Sequence, residues 1–413
     1  MHTGPHLINE GLVFGYDANL EGIRYYPGEP TTNVSYNNGQ GGSEYLAAPI
    51  TWVNAGSWVS NTNETDVPKP IIPGFDTTNY RIISGLNTTA GGSVHFGCGW
   101  SSASPSTTYT VSVWYRQNRA GCAQPYMRTN VTNVSLGNLA YNGDTNSANW
   151  PVDQWIRIST SGTTASNENG IYISNYIGGQ VGDKIWYFGH QVEAKSHVTP
   201  LVAGTRSTTN SLKDSKRTTT LDLSNVTFDS NSLPYFDGTN DRIAGSWPSS
   251  LNVDDNTTPR TWEVIVKPTS TTSWHGVWGH KAGAGCSYYC NGGIYIREGY
   301  YYFVWYDNAA YRWINSGVAA TTNQYAHVVG TFAADANPRI YVNGVYKAAW
   351  GSATQLDYSS GMIVYDVGFN SDNGGQHYFP GEIPVARFYK NKALSATEVN
   401  NNYLAYKQRF NLS

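Results

Sequence analysis

The sequence predicts an all-β protein of two domains, and three observations carry the prediction. Charged residues are 13% of the 413, about half the usual share. Exposed faces must therefore be made polar by Asn, Ser, Thr and Gly, a diet that starves helices and suits strands and turns. Aromatics reach 14%, with 31 Tyr and 14 Trp, side chains that fit a pleated, half-buried surface. Apolar and polar residues also alternate with a period of two along much of the chain. A length of 413 residues is roughly twice the common domain size, which gives the expectation of two domains. A net charge of −3 is too small for a nucleic-acid footprint or a polybasic membrane anchor. No run approaches the ~20 apolar residues of a membrane span, so no membrane insertion is expected. Met1-His2-Thr3-Gly4-Pro5 has no basic or apolar signal region, so no cleaved secretion signal is expected either.

The strands are readable in order. Thr108–Tyr115, Gly170–Ser174 and Trp186–Glu193 alternate as half-buried strands do, and Thr261–Val266, Gly293–Arg297 and Tyr301–Tyr306 repeat the style. In Tyr341-Val342-Asn343-Gly344-Val345-Tyr346 the Asn-Gly pair sits between apolar pairs. That is a two-residue hairpin signature, since a type I′ turn needs positive φ twice. One short C-terminal helix is readable. Ser395 is a good N-cap and Glu398 completes a capping box, after which Val399, Tyr403, Tyr406 and Phe410 form one apolar face. The four cysteines, Cys98, Cys122, Cys286 and Cys290, are too few for a disulfide scaffold. For Cys286 and Cys290, a small disulfide-closed loop and two free thiols both stay open.

Several stretches belong together. Gly11-Leu12-Val13-Phe14-Gly15-Tyr16-Asp17-Ala18-Asn19, Tyr235-Phe236-Asp237-Gly238-Thr239-Asn240-Asp241-Arg242-Ile243, Tyr341-Val342-Asn343-Gly344 and Phe388 to Val399 resemble the laminin-G-like, concanavalin A-like modules common in tailed-bacteriophage structural proteins. Between the first two lies a long block. It starts at Glu29-Pro30-Thr31-Thr32-Asn33 and ends with Gly189-His190-Gln191-Val192-Glu193 and Val198 to Ser207, and it resembles the carbohydrate-binding-module-like jelly rolls of phage fibre and tail proteins. A jelly roll brings its first and last strands side by side, so it is tolerable as an insert in a surface loop. The expected organisation is a laminin-G-like sandwich of residues 1–32 and 206–413, with a jelly roll of 33–205 inserted.

Catalytic residues are expected to be none. A retaining glycosidase needs two carboxylates about 5 Å apart, which on one strand means acids at i and i+2 or i+4. Glu263 has Ile265 and Lys267 at those offsets, Glu382 has Pro384 two residues on, and Asp254 and Asp255 are adjacent. No Gly-x-Ser-x-Gly elbow or phosphate loop occurs. His275, His280, His327 and His377 are isolated in sequence, and His327 reads as a packing residue. No cofactor is expected except calcium, for which Asp237 and Asp241 are the candidate ligands. The same Asp237-Gly238-Thr239-Asn240-Asp241 also reads as a tight turn bonding its own backbone.

Sugar binding would rest on aromatics flanked by amides and hydroxyls. Trp274, Trp305, Tyr306, Asp307 and Trp313 are the candidate carbohydrate-binding residues, and for each Trp a place in the core is the alternative. The Tyr300-Tyr301-Tyr302 run cannot be wholly buried, because adjacent strand residues face opposite ways. The phage resemblance implies a non-enzymatic virion surface protein, a capsid decoration, head fibre or tail-fibre component that presents lectin-like modules. Its partners would be other virion proteins and host surface glycans, it would form a homo-oligomer, and its location would be the virion surface. A purely structural capsid cement and a polysaccharide-degrading enzyme are the alternatives.

Overall fold

The computed structural model describes residues 6–18, 28–34, 58–72, 75–77, 80–88, 93–178, 180–202, 204–223, 225–229, 233–249, 258–282, 292–306, 310–333, 336–351, 362–371 and 376–413. Candidate residue Asp307, together with Asp254, Asp255, Cys286 and Cys290, lies outside them. The chain is mostly β, in two compact units, residues 1–29 with 208–413 and residues 30–207.

The unit of residues 30–207 is a sandwich. Its five-stranded sheet runs in the order Trp58–Glu64, Ile82–Asn87, Lys184–Glu193, Thr108–Gln117 and Ile156–Thr163. Its four-stranded sheet runs Ser93–Ser102, Gly170–Gly178, Gln124–Thr129 and Ser135–Asn138. Val111, Val113, Ile158 and Tyr187 of the first sheet bury against Met127, Ile171 and Ile173 of the second. Thr31–Thr32 pairs with Thr205–Arg206, so chain entry and exit lie side by side. The two units divide at 29/30 and 207/208.

The stretches singled out at the ends of this block meet in a buried polar knot. Asn33 is fully buried; its amide donates to the His190 and Val202 carbonyls at 3.1 and 3.2 Å and its oxygen accepts from the Val192 N–H at 3.1 Å. The buried Glu193 carboxylate accepts from Thr31 Oγ1 at 2.8 Å, Gln191 Nε2 at 2.6 Å and Thr199 Oγ1 at 2.5 Å. Gly189 has a φ of +62°, and a Cβ there would stand 2.7 Å from Leu201, so only glycine fits both the turn and the space. His190 is fully buried, and burial pushes it down to about 3. Cys122 is a buried free thiol, pushed up to about 11 by burial and by Asp183.

The other unit stacks an eight-stranded on a six-stranded sheet. The larger sheet centres on Pro380–Lys390, flanked by Arg260–Pro268 on one side and by Leu12–Asp17 and Pro234–Asp237 on the other. The smaller runs Ile243–Ser246, Met362–Val367, His275–Ala282, Gly293–Arg297, Tyr300–Tyr306 and Tyr311–Ala319. Between them lies an aromatic core of Phe14, Trp247, Trp262, Trp278, Phe303, Trp305, Tyr365 and Phe388. Close approach of the sheets needs small residues opposite these rings. A Cβ on Gly330 would come within 2.2 Å of Phe303. His280 belongs to this core, its Nδ1 accepting from Trp262 Nε1 at 2.9 Å.

Asn343 and Gly344 have φ of +49° and +76°, the two positive values the expected hairpin turn requires. The helix Ala396–Phe410 begins at Ser395 with the expected capping box, and Val399, Tyr403, Tyr406 and Phe410 are buried. A helical turn at Thr208–Ser211 and a 3₁₀ turn at Ser147–Asn149 add to it.

The C-terminal helix lies on the outer face of the larger sheet, and this changes Arg260–Pro268 from the half-buried strand the alternation predicts. All but Lys267 of its residues are buried. Trp262, Val264 and Val266 face the sandwich core, while Ile265 packs with Tyr403, Tyr406 and Phe410 of the helix side. On that same outer face sits Glu263, fully buried. Its carboxylate accepts from His327 Nε2 at 2.8 Å, Tyr389 OH at 2.8 Å and Asn402 Nδ2 at 2.9 and 3.1 Å, with Arg387 Nη1 3.5 Å away. Burial alone would raise the Glu263 carboxyl, but the Arg387 charge and the His327 and Tyr389 hydrogen bonds outweigh it and hold it below the ordinary range. His327 is therefore buried and structural.

Removing one partner from such a network leaves the others buried and uncompensated. Glu263→Ala is expected to cost this unit about 3–5 kcal/mol, and Asn402→Ala about 1–3 kcal/mol, read as lowered unfolding midpoints. Because the folded carboxyl is depressed, its contribution is complete at neutral pH and is lost as pH falls through and below the ordinary Glu range. The melting-temperature gap between wild type and Glu263→Gln should accordingly narrow in acid.

Candidate functional site

The outer face of the smaller sheet carries the second aromatic group. Side chains alternate along its strands, so Tyr295 and Arg297 share a face with Tyr302, Val304 and Trp313, while Ile294, Ile296, Phe303 and Trp305 face the core. Tyr295 and Val304 are fully buried there beneath the half-buried Tyr302 and Trp313. Trp313 meets Tyr295 edge-on at 5.3 Å and Trp274 at 5.9 Å. Trp274 directly precedes the strand His275–Ala282 and leans on His377 at 5.6 Å. Beside this pair of indoles sits Arg297, its guanidinium carbon 4.0 Å from the Trp274 ring and 5.2 Å from the Trp313 ring.

Trp274 also forms a wall of an open groove of about 660 Å³. Ser273 and His275 accompany it, together with Gln376, His377 and Tyr378 from a short strand and Gly238 from the turn after Pro234–Asp237. His275 is 7% exposed and donates from Nδ1 to the Tyr378 carbonyl at 2.8 Å. Burial, with His377 nearby, holds His275 below the usual histidine range against the pull of that carbonyl, so it is neutral at pH 7. The groove thus combines an indole face with hydroxyl, amide and imidazole groups. That mixture suits a polar ligand with an apolar face.

The candidate residues divide. Trp274 and Trp313 come together, half-buried, at the groove and the outer face. Trp305 does not join them: it is fully buried in the sandwich core against Phe303 and Trp350 and has no face to offer a sugar. The period of two decides this, since Trp305 is one residue out of phase with Val304 and Tyr306. Tyr306 lies on the outer face but packs at a tilt against Tyr311 at 4.9 Å, at the far end of its strand from Arg297. Tyr300, Tyr301 and Tyr302 alternate as expected, 39% exposed, buried and half-buried.

Asp237 and Asp241 follow the turn reading. Asp237 Oδ1 accepts from the N–H groups of Thr239 and Asn240 at 2.7 and 3.3 Å, and Asp241 Oδ2 accepts from the Asp237 N–H at 2.9 Å, around Gly238 at φ +80°. Among the described residues no cluster of three or more His, Cys, Asp or Glu side chains is placed to hold a metal ion. Of the acids weighed for catalysis, Glu263 and Glu382 are each engaged by other groups, and Asp254 and Asp255 lie outside the described residues. Glu263 is closed off beneath the C-terminal helix, and the buried Glu382 pairs with Lys267 and Tyr325.

Arg297 and His377 were not among the candidates. Arg297 was legible in principle, as the cation before a Glu298-Gly299 hairpin turn inside a run of tyrosines. His377 was not, because only the fold brings it to Trp274.

Residues 237–400 match the model of the Concanavalin A-like lectin/glucanases superfamily. This unit is an all-β, lectin-like sandwich. No curated protein matches the sequence. Similar solved structures include one of botulinum neurotoxin type C, described for its interaction with two ganglioside molecules, at 15% identity over 48% of this chain and 49% of that one, with a TM-score of 0.35. The botulinum neurotoxin serotype D ligand-binding domain in complex with N-acetylneuraminic acid is similar at 17% identity, over 48% and 49%, with a TM-score of 0.32. Domain 4 of AbnA, an extracellular arabinanase from Geobacillus stearothermophilus, in complex with arabinotriose is similar at 16% identity over 45% and 81%, also at 0.32. The chain spans about half the length of the neurotoxin structures, 49% in both cases.

The two tryptophans should behave differently on truncation. Trp305→Ala empties a core site and is expected to cost about 3–5 kcal/mol, whereas Trp313→Ala should cost about 1–2 kcal/mol. Chemical denaturation of both variants, scored on the lectin-like unit, checks the order.

Proposed function

We propose that the chain is a non-enzymatic glycan-binding protein of a tailed-phage virion surface, a capsid decoration, head fibre or tail-fibre component. The observation that carries the glycan part is the open groove walled by Trp274 and furnished with Ser273, Gln376 and His377. Pyranose rings stack their C–H faces on indole, while such polar groups bond the hydroxyls. A lectin-like sandwich with few charges and a half-buried aromatic surface suits weak contact with host surface glycans. Repetition of the protein around a particle as a homo-oligomer, beside other virion proteins, raises such contacts by roughly 10²–10⁴ through avidity. The virion part is supported by the phage-module motifs at Gly11–Asn19, Tyr235–Ile243 and Phe388–Val399. The absence of degradation is supported by the engagement of Glu263 and Glu382.

A glycan array probed with bead-multimerised protein tests the reading. Reproducible binding to host surface polysaccharide is expected. It should fall at least tenfold in Trp274→Ala and persist in chelator, since Asp237 and Asp241 bond their own turn. Silence from folded, multimerised protein would favour a structural cement. Release of reducing sugar would replace binding by degradation.

A further inference from the structure

We infer that the groove selects acidic glycans and that the Arg297 guanidinium is the group that recognises their carboxylate. This deepens the glycan-binding reading and rests on it. Three features of Arg297 lead there. It ends the strand Gly293–Arg297, immediately before a tight turn in which Glu298 and Gly299 have φ of +52° and +82°. The two-residue turn fixes its register opposite Tyr300 and on the face of Tyr302 and Trp313. The side chain is thereby delivered to a set position rather than left on a floppy loop.

The guanidinium then rests against rings. Trp274 lies 4.0 Å away, Trp313 5.2 Å and Tyr302 6.0 Å. Stacking on aromatic faces orients a guanidinium while leaving its in-plane N–H donors directed outward. Only Nε is engaged, at 3.2 Å from Glu298 Oε1; Nη1 and Nη2 have no hydrogen-bond partner among the described residues. Two parallel donors held in a fixed plane are the fork that carboxylates accept in bidentate fashion.

The third feature is what surrounds it. Trp274 is both the ring nearest Arg297 and a wall of the groove, so a ligand held in the groove lies beside the ring that carries the cation. None of the described groove residues is an acid. Asp237 and Asp241, the carboxylates closest in sequence to Gly238, are held by backbone N–H groups of their own turn. Glu298 is turned to solvent, with its side chain 62% exposed, and occupies the Nε edge alone. The neutral His275 adds no competing charge. Arg297 thus shares its Nε edge with the exposed Glu298 and keeps its two Nη donors, unengaged among the described residues, for a ligand anion.

The experiment uses matched glycans that differ only in charge: polygalacturonate and its methyl ester, sialylated oligosaccharides and their desialylated forms, and hyaluronan before and after carboxyl reduction. Full-length, bead-multimerised wild-type protein is expected to bind the acidic member of at least one pair tenfold or more tightly, with the preference shrinking as salt rises. Arg297→Gln should abolish the preference, bringing the acidic and neutral members of each pair to equal binding. Arg297→Lys, which keeps the charge without the planar fork, should retain only part of it. Equal binding within every pair, or a preference unaltered in folded Arg297→Gln, would overturn the inference and make Arg297 a packing cation; binding of neutral glycans would still stand. If no member of any pair binds, both this inference and the glycan-binding reading fail.

Discussion

The lectin-like unit is organised around one buried carboxylate. Glu263 stands in the middle of the larger sheet, on the face away from the aromatic core, and cannot be left there unpaired. Strand Ala326–Ala333 supplies His327, strand Pro380–Lys390 supplies Arg387 and Tyr389, and the C-terminal helix supplies Asn402. Each donor fixes the position of the element that carries it. Arg387 also donates to the Ile8 carbonyl at 2.7 Å, with the Tyr389 hydroxyl 3.1 Å from the same oxygen, and so brings in the segment ahead of the first strand. One acid thus ties both ends of the chain to the sheet, and the sheet then offers a fixed surface for the sandwich core and, across it, the six-stranded layer.

That layer shows how register decides which aromatics are available for binding. Phe303, Val304, Trp305 and Tyr306 are consecutive and equally suited to a binding surface by type. Alternation sends Phe303 and Trp305 inward and leaves Val304 and Tyr306 outside. Two neighbouring hairpins then carry Arg297, Tyr302 and Trp313 to the same outer face, and the segment before His275 adds Trp274. The groove differs in kind from the core, because one wall comes from the turn and short strand around Gly238 and Gln376–Tyr378, where side chains stay half in water.

Much of this was legible in the sequence, and the parts that were not share a cause. The strands, the Asn343-Gly344 turn and the Ser395 capping box rest on neighbours in sequence, so periodicity and turn chemistry were enough. The two-unit organisation was visible through motif ends that meet in the fold, Asn33 with His190 and Thr31 with Glu193. Phase within an outer or inner face was not visible for Trp305, because a strand with large apolar residues on both faces carries no polar marker of which side is wet. Asn402 was hidden for the opposite reason. A polar residue on the helix face between Val399 and Tyr403 looks like an interruption until Glu263 is found beneath it. His377 and Trp274 are joined only by the long-range pairing of the sheet.

The closure of the inserted unit by its own first and last residues bears on how the protein is made. Leu12–Asp17 finds its sheet partner in Pro380–Lys390, almost the full length of the chain away. During synthesis that first strand emerges with no partner, and its buried Phe14 and Tyr16 stay without a core until the last strands arrive. The inserted sandwich needs no such wait, since every strand it pairs lies between its own two ends. Its strand pairing among the described residues is complete once Thr205–Arg206 has been made. Once folded, it holds the stem of the early strand and the start of the later segment at one point, so the longest loop in the lectin-like unit is already closed when that unit begins to assemble.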